Sequence, residues 1–180
     1  MSASALGPEA RAWLKRHALA AALAAVRGGK PSPVPADPPE EILGRRGVFV
    51  TVRVGGQLRG CMGTLRGEEG LIEATGRLAA AATVGDDRFS PVREQELVHM
   101  ELELSVLGAL EPITSPREIT AGRHGVAVSH GTRLGVLLPH VAVARGWSGE
   151  QFVEAAADKA GIGRDALAQT RIERFEAEVF

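Results

Sequence analysis

The sequence predicts an α+β fold in which an antiparallel or mixed sheet is flanked by helices. Three observations predict it. Runs with helical periodicity are interspersed with short alternating or β-branched runs. Two pairs of the strand runs meet across glycine-containing turns, Gly55-Gly56 and His130-Gly131. Hairpins of this kind outnumber regular strand–helix–strand units. At 180 residues the chain is long enough for one well-formed core, so a single compact domain with lobes over 1–180 is expected.

The first helix is predicted over Pro8 to Arg27. Trp13, Leu14, Ala18, Leu19, Ala21, Ala22 and Val26 recur at helical spacing, and Gly28-Gly29 stops the run. Residues 31–39 carry five prolines, which excludes helix and central strand and predicts an extended connection lying against the domain. Val48 to Val54 is a strand by its β-branched content. Gly55-Gly56 is a tight hairpin turn, and Gln57 to Leu65 is the returning strand. A second helix is expected over Glu68 to Val84, with an apolar stripe of Leu71, Ile72, Leu78, Ala79 and Ala82. Asp86 to Pro91 reads as a loop and Arg93 to Leu97 as a helical turn. His99 to Leu107 alternates as a strand. Arg117 to Ile119 is a turn, and Gly125 to Ser129 with Thr132 to Leu138 forms a further hairpin. Ser148 is an N-cap for a helix from Gly149 to Ala160, closed by Gly161. A short helix over Arg164 to Ala168 precedes a last alternating strand, Ile172 to Phe180.

Composition excludes several function classes. Apolar residues make up 44% and charged residues 24%, and the net charge is −1 from 21 basic and 22 acidic residues. Such a balance gives no general attraction to nucleic acid or anionic lipid. No apolar run approaches the roughly 20 residues that span a bilayer, and no signal peptide is evident. One cysteine cannot form an internal disulfide, which fits a reducing compartment. A cytoplasmic protein is expected, and the bias toward alanine and arginine suggests a GC-rich bacterial genome. Histidine pairs at metal spacing, a Cys-x-x-Cys, a phosphate-binding loop and iron–sulfur cysteines are all missing, so no metal and no cofactor is expected.

The chemistry concentrates in Leu58-Arg59-Gly60-Cys61-Met62-Gly63, where two glycines bracket the sole cysteine and a cation precedes it. Glycine in a strand permits close approach of a backbone or ligand, and a thiol beside a cation deprotonates more easily. With an uninterrupted hairpin register, Val54 faces Gln57, Val52 faces Arg59 and Val50 faces Cys61. Cys61 and Arg59 would then share one face, and Phe49, Leu58 and Met62 the other. Apolar groups on both faces predict a central, covered hairpin.

Separated segments carry a resemblance to a known family. They are residues 47–52, 57–65, 87–91 and 101–107, His124-Gly125, residues 137–147, 159–161 and 175–180. Together they resemble the AMMECR domain family, known in prokaryotes as protein A of the AmmeMemoRadiSam system. The resemblance implies a two-lobed α+β fold around an antiparallel sheet, with the Leu58–Gly63 motif as the family's proposed functional element. It also implies association with Memo-like and radical S-adenosylmethionine proteins. Met62 stands where isoleucine is usual, His140 where glutamine is common, and Ala157 where many members have a second cysteine.

Two functions follow as expectations. In the first, the chain is an accessory or scaffold component that offers Leu58, Arg59, Gly60, Met62 and Gly63 as a binding surface for those partners or for a small anionic ligand. In the second, Cys61 is a nucleophile acting on a small anionic substrate, Arg59 clamps the anion, and His124 or His140 serves as base. Against these stand plainer roles. Cys61 can be a small core residue, and Arg59 can pair with Glu101, Glu103, Glu176 or Glu178. Those carboxylates can be the wet side of their strands, and Asp86 and Asp87 can simply cap a turn.

Overall fold

The structure, a computed structural model, describes residues 5–29 and 33–180. Pro31 and Ser32 of the expected proline connection lie outside the described residues. The described chain divides into two compact units, residues 5–106 with 178–180 and residues 107–177.

In the first unit, α1 (Pro8–Val26) begins with proline in its first turn and ends before Gly28, whose φ is 63°. This is the asymmetry expected of helix ends. Its buried side carries Ala10, Trp13, Leu14, His17, Ala18, Ala21 and Ala22. β1 (Val48–Val54) and β2 (Gln57–Thr64) form the expected hairpin. Gly55 and Gly56 turn it, with φ of 56° and 78°, values that L side chains avoid and two-residue hairpin turns require. α2 (Leu71–Val84) starts three residues later than the periodicity predicts, because extended Gly70 takes the N-cap position. β3 (Met100–Leu107) pairs antiparallel with β1, giving the order β2-β1-β3. Val48, Val50 and Val52 are fully buried with Leu104 and Val106 against Leu14, Leu71, Leu78 and Ala79. Burying each of the larger aliphatic groups contributes about 1.5–3 kcal/mol. The chain end joins this unit: Leu104 and Phe180 exchange main-chain hydrogen bonds of 2.8 and 3.0 Å. The Glu178 carboxylate accepts from Leu6 N–H at 2.8 Å and Arg11 at 3.0 Å.

In the second unit, β4 (Glu111–Pro112), β5 (His124–His130), β6 (Arg133–Leu137) and β7 (Arg171–Val179, as far as Ala177 here) are antiparallel partners. β7 pairs with β4 and β5, and β5 also pairs with β6. α3 (Pro139–Arg145) is an element the sequence reading does not predict. Pro139 presets its first residue, and Gly146 in the left-handed region stops it, so seven residues escape a periodicity test. α4 (Gly149–Lys159) starts as expected: Ser148 Oγ accepts from Gln151 N–H, and Gln151 Oε1 accepts from Ser148 N–H. Val126, Val128, Ala142, Phe152, Ala156 and Ile162 form the core. Helices thus lie on antiparallel strands in both units, as the α+β prediction requires. Among the described residues no helix is long and apolar enough to cross a membrane.

Candidate functional site

The hexapeptide lies on β2, and its geometry departs from the uninterrupted register. Val54 faces Gln57 and Arg53 faces Leu58, but Val52 then faces Gly60, Thr51 faces Cys61 and Val50 faces Met62. Arg59 is the extra residue of a β-bulge, a device that twists a strand and re-aims a side chain. The expected pairing of Cys61 with Val50 is therefore corrected to Thr51, and Met62 moves to the face of Val50. Phe49 shares the face of Cys61 and Gly63. A hairpin of seven- and eight-residue strands cannot disclose a one-residue insertion from alternation alone, and one residue reverses every later facing. The expectation of a central hairpin also fails for one strand. β1 is central, whereas β2 is the outermost strand of the β2-β1-β3 arrangement.

Each glycine of the motif has a specific neighbour. A Cβ on Gly60 would lie 1.8 Å from the Ala82 carbonyl oxygen of α2, so strand and helix backbones touch there. A Cβ on Gly63 would lie 2.1 Å from the Phe49 ring, which covers that position. Leu58 is exposed, while Met62 is half-buried and packs against the core.

Arg59 does not present an open guanidinium. It donates to the Glu96 carboxylate at 2.5 Å and to the Ser90 carbonyl at 3.0 Å. Its partner is thus a glutamate outside the four expected ones. The Arg59 guanidinium in turn holds the Glu96 carboxyl below the ordinary glutamate range.

Cys61 is half-buried, and the Thr51 hydroxyl donates to its Sγ at 3.6 Å. Its main chain faces outward from the sheet edge and is covered by side chains. Cys61 N–H donates to Asp86 Oδ2 at 2.9 Å, and Arg88 Nη2 donates to the Cys61 carbonyl at 2.8 Å. Arg88 also binds Asp86 through Nε at 2.8 Å and Nη2 at 2.6 Å. Asp86 is buried, and this guanidinium, reinforced by the Cys61 N–H, holds its carboxyl far below the usual range. The pair occupies the donor and acceptor that a neighbouring strand would otherwise take, closing the edge. The sequence reading sets Asp86 to Phe89 lining the site as a loop against Asp86 or Asp87 capping a turn, favours the turn, and does not foresee the Asp86–Arg88 pair. The available signal is a charged Asp-Asp-Arg run directly after Gly85, where α2 ends.

The other candidates belong to the second unit. His124 is buried at the start of β5, and its Nδ1 accepts from Thr120 N–H at 2.9 Å. Burial, then Arg174 and Arg123, lower its pKa. The neutral ring therefore carries its proton on Nε2 and offers a donor there, whereas a general base needs a lone pair. His140 is exposed on the first turn of α3. No group of three or more His, Cys, Asp or Glu among the described residues is arranged to hold a metal ion.

Known proteins resemble the chain over most of its length. The family model described as AMMECR1 matches residues 15–180. A protein of Methanothermobacter thermautotrophicus is 40% identical over 163 residues, covering 86% of this chain and 85% of its own. One of Thermococcus gammatolerans is 41% identical over 167 residues, covering 86% and 82%. The crystal structure of an uncharacterized protein from Pyrococcus horikoshii superposes with a TM-score of 0.86 at 36% identity, covering 93% of this chain and 90% of that one. These relatives are archaeal, so the bacterial origin suggested by composition gains nothing from them. Agreement in family model, identity and fold leads to one conclusion: this chain belongs to the AMMECR1 family.

Proposed function

We propose that this protein is a non-catalytic accessory component that docks Memo-like and radical S-adenosylmethionine proteins through the β2 strand and the loop braced against it. One observation carries this reading. The polar groups of the motif are engaged in building a rigid edge, with Arg59 on Glu96 and Ser90 and with the Cys61 main chain on Asp86 and Arg88. One route to an activated cysteine is a general base beside it. Among the described residues, the side-chain hydrogen bond at the Cys61 sulfur comes from a donor, the Thr51 hydroxyl, and no base accepts from it. What β2 offers outward is shape, in exposed Leu58 and the half-buried Cys61 side chain.

Cys61→Ser tests it. The variant retains co-purification with a Memo-like or radical S-adenosylmethionine partner and retains in-cell function. The native thiol reacts with iodoacetamide at neutral pH much more slowly than the denatured one. Intact partner binding with lost in-cell function, or rapid selective labelling of the native thiol, would instead establish the cysteine-dependent enzyme.

A further inference from the structure

Beside β2, the side chains of Gln57 and Arg59 face the segment from Ser90 to Glu96 across an open cleft of about 510 Å3. Arg93, Gln95 and Glu96 complete its lining, which is polar. Arg59 is held in place by Glu96 and the Ser90 carbonyl. Arg93 uses its main-chain N–H on Glu96 Oε2 at 2.9 Å. Among the described residues its guanidinium has no hydrogen-bond or ion-pair partner, and the carboxamides of Gln57 and Gln95 have none. A guanidinium without a direct partner, attracted at longer range by Glu96, a braced one and two amides therefore converge on one space, with two cations against one anion.

We propose that this cleft binds the oxyanion group, carboxylate or phosphate, of a small polyanionic ligand between Arg59 and Arg93. Glu96 is the internal carboxylate that holds Arg59 until the ligand arrives. Guanidinium forks match the geometry of both oxyanions, and the cleft has the size of small-molecule sites. Glu96, like any ordinary glutamate, is ionised at neutral pH, and Arg59 lowers its pKa further, so it competes with the ligand for one side of Arg59. The proposal deepens the docking function above and rests on it, since β2 supplies both the docking strand and Arg59.

Titration calorimetry with inorganic phosphate and, separately, citrate tests it on the full chain at low ionic strength, where such contacts are least screened. Saturable binding of at least one probe is expected, and which one binds assigns the oxyanion. Arg93→Gln weakens that binding by about tenfold, the loss of a charge-assisted contact. Glu96→Gln strengthens it severalfold by removing the competing carboxylate. Thermal unfolding confirms that both variants are folded. Absence of saturable binding, or equal affinity in Arg93→Gln, overturns the site. Weaker binding in Glu96→Gln overturns the exchange role of Glu96. Partner co-purification is read separately, so failure of the docking function and failure of the anion site are told apart.

Discussion

The two hairpins of this chain solve one packing problem with the same device and then diverge. In the first unit Gly60 of β2 lets the strand touch α2, and an added Cβ would lie 1.8 Å from the Ala82 carbonyl oxygen. In the second, Gly135 of β6 lets that strand touch α4, with an added Cβ 1.8 Å from the Ala156 carbonyl oxygen. The residue after the glycine is Cys61 in one and Val136 in the other. Both carbonyls are covered by a cation, Arg88 on Cys61 at 2.8 Å and Lys159 on Val136 at 2.9 Å. The β5–β6 register runs without a shift. There a lysine of the packed helix itself does the covering. Around β2 the chain adds a bulge, a buried aspartate and a loop that Arg59 grips and whose own Arg88 grips β2. Packing a strand on a helix does not need these additions, because β6 manages without them. The cysteine hairpin therefore carries bracing beyond what packing β2 on α2 requires.

The comparison can be broken first at the glycines. Gly60→Ala and Gly135→Ala should each destabilise by about 3 kcal/mol, since backbone must move to admit the methyl, as read by urea unfolding. Tolerance at one site only would show that the two contacts are not equivalent. Next come the edge cations. Arg88→Ala leaves the buried Asp86 carboxylate without its guanidinium. The arginine is 58% exposed, so solvent screens the pair and the cost is about 1–2 kcal/mol. Lys159→Ala leaves no buried charge and should cost about 0.5 kcal/mol. Equal losses would mean that the Asp86–Arg88 brace adds nothing to the edge.

Acid provides a third test. His17 in the first unit and His124 in the second both have pKa values lowered chiefly by burial, from an ordinary value of 6.5. The unfolded chain binds those protons first, so stability is full above 6.5 and falls as the pH drops below it. The Asp86 carboxyl, held low by Arg88, adds stability that is present above the ordinary aspartate pKa of 3.8 and is lost on further acidification. Thermal unfolding from about pH 8 to pH 3 should thus decline in two stages, and His124→Gln should shrink the upper one. A flat profile between about pH 8 and pH 5 would contradict the buried, neutral histidines. The smallest effect belongs to Cys61→Val, which copies the sister hairpin. It should cost less than about 1 kcal/mol. Weakened partner co-purification in that folded variant would locate recognition at the thiol position itself.

Much of this was legible in residues. β-branched runs marked β1, alternation marked β3 and β7, and Ser148 marked the start of α4, because these signals are local and act within one turn or one strand. The Gly55-Gly56 turn announced its hairpin for the same reason. The segments matching the AMMECR domain were legible too. What was not legible was where those side chains point. The bulge at Arg59 reassigns Cys61 from Val50 to Thr51, and the partner of Arg59 is Glu96, 37 positions away. That His124 and His140 belong to the other unit was equally hidden. Sequence by itself determined the elements, the turn and the family, since propensity, periodicity and motif are properties of neighbours along the chain. Only the tertiary structure decided that the cysteine strand is an edge braced by Asp86 and Arg88, because register and long-range ion pairing depend on which distant backbones close on one another.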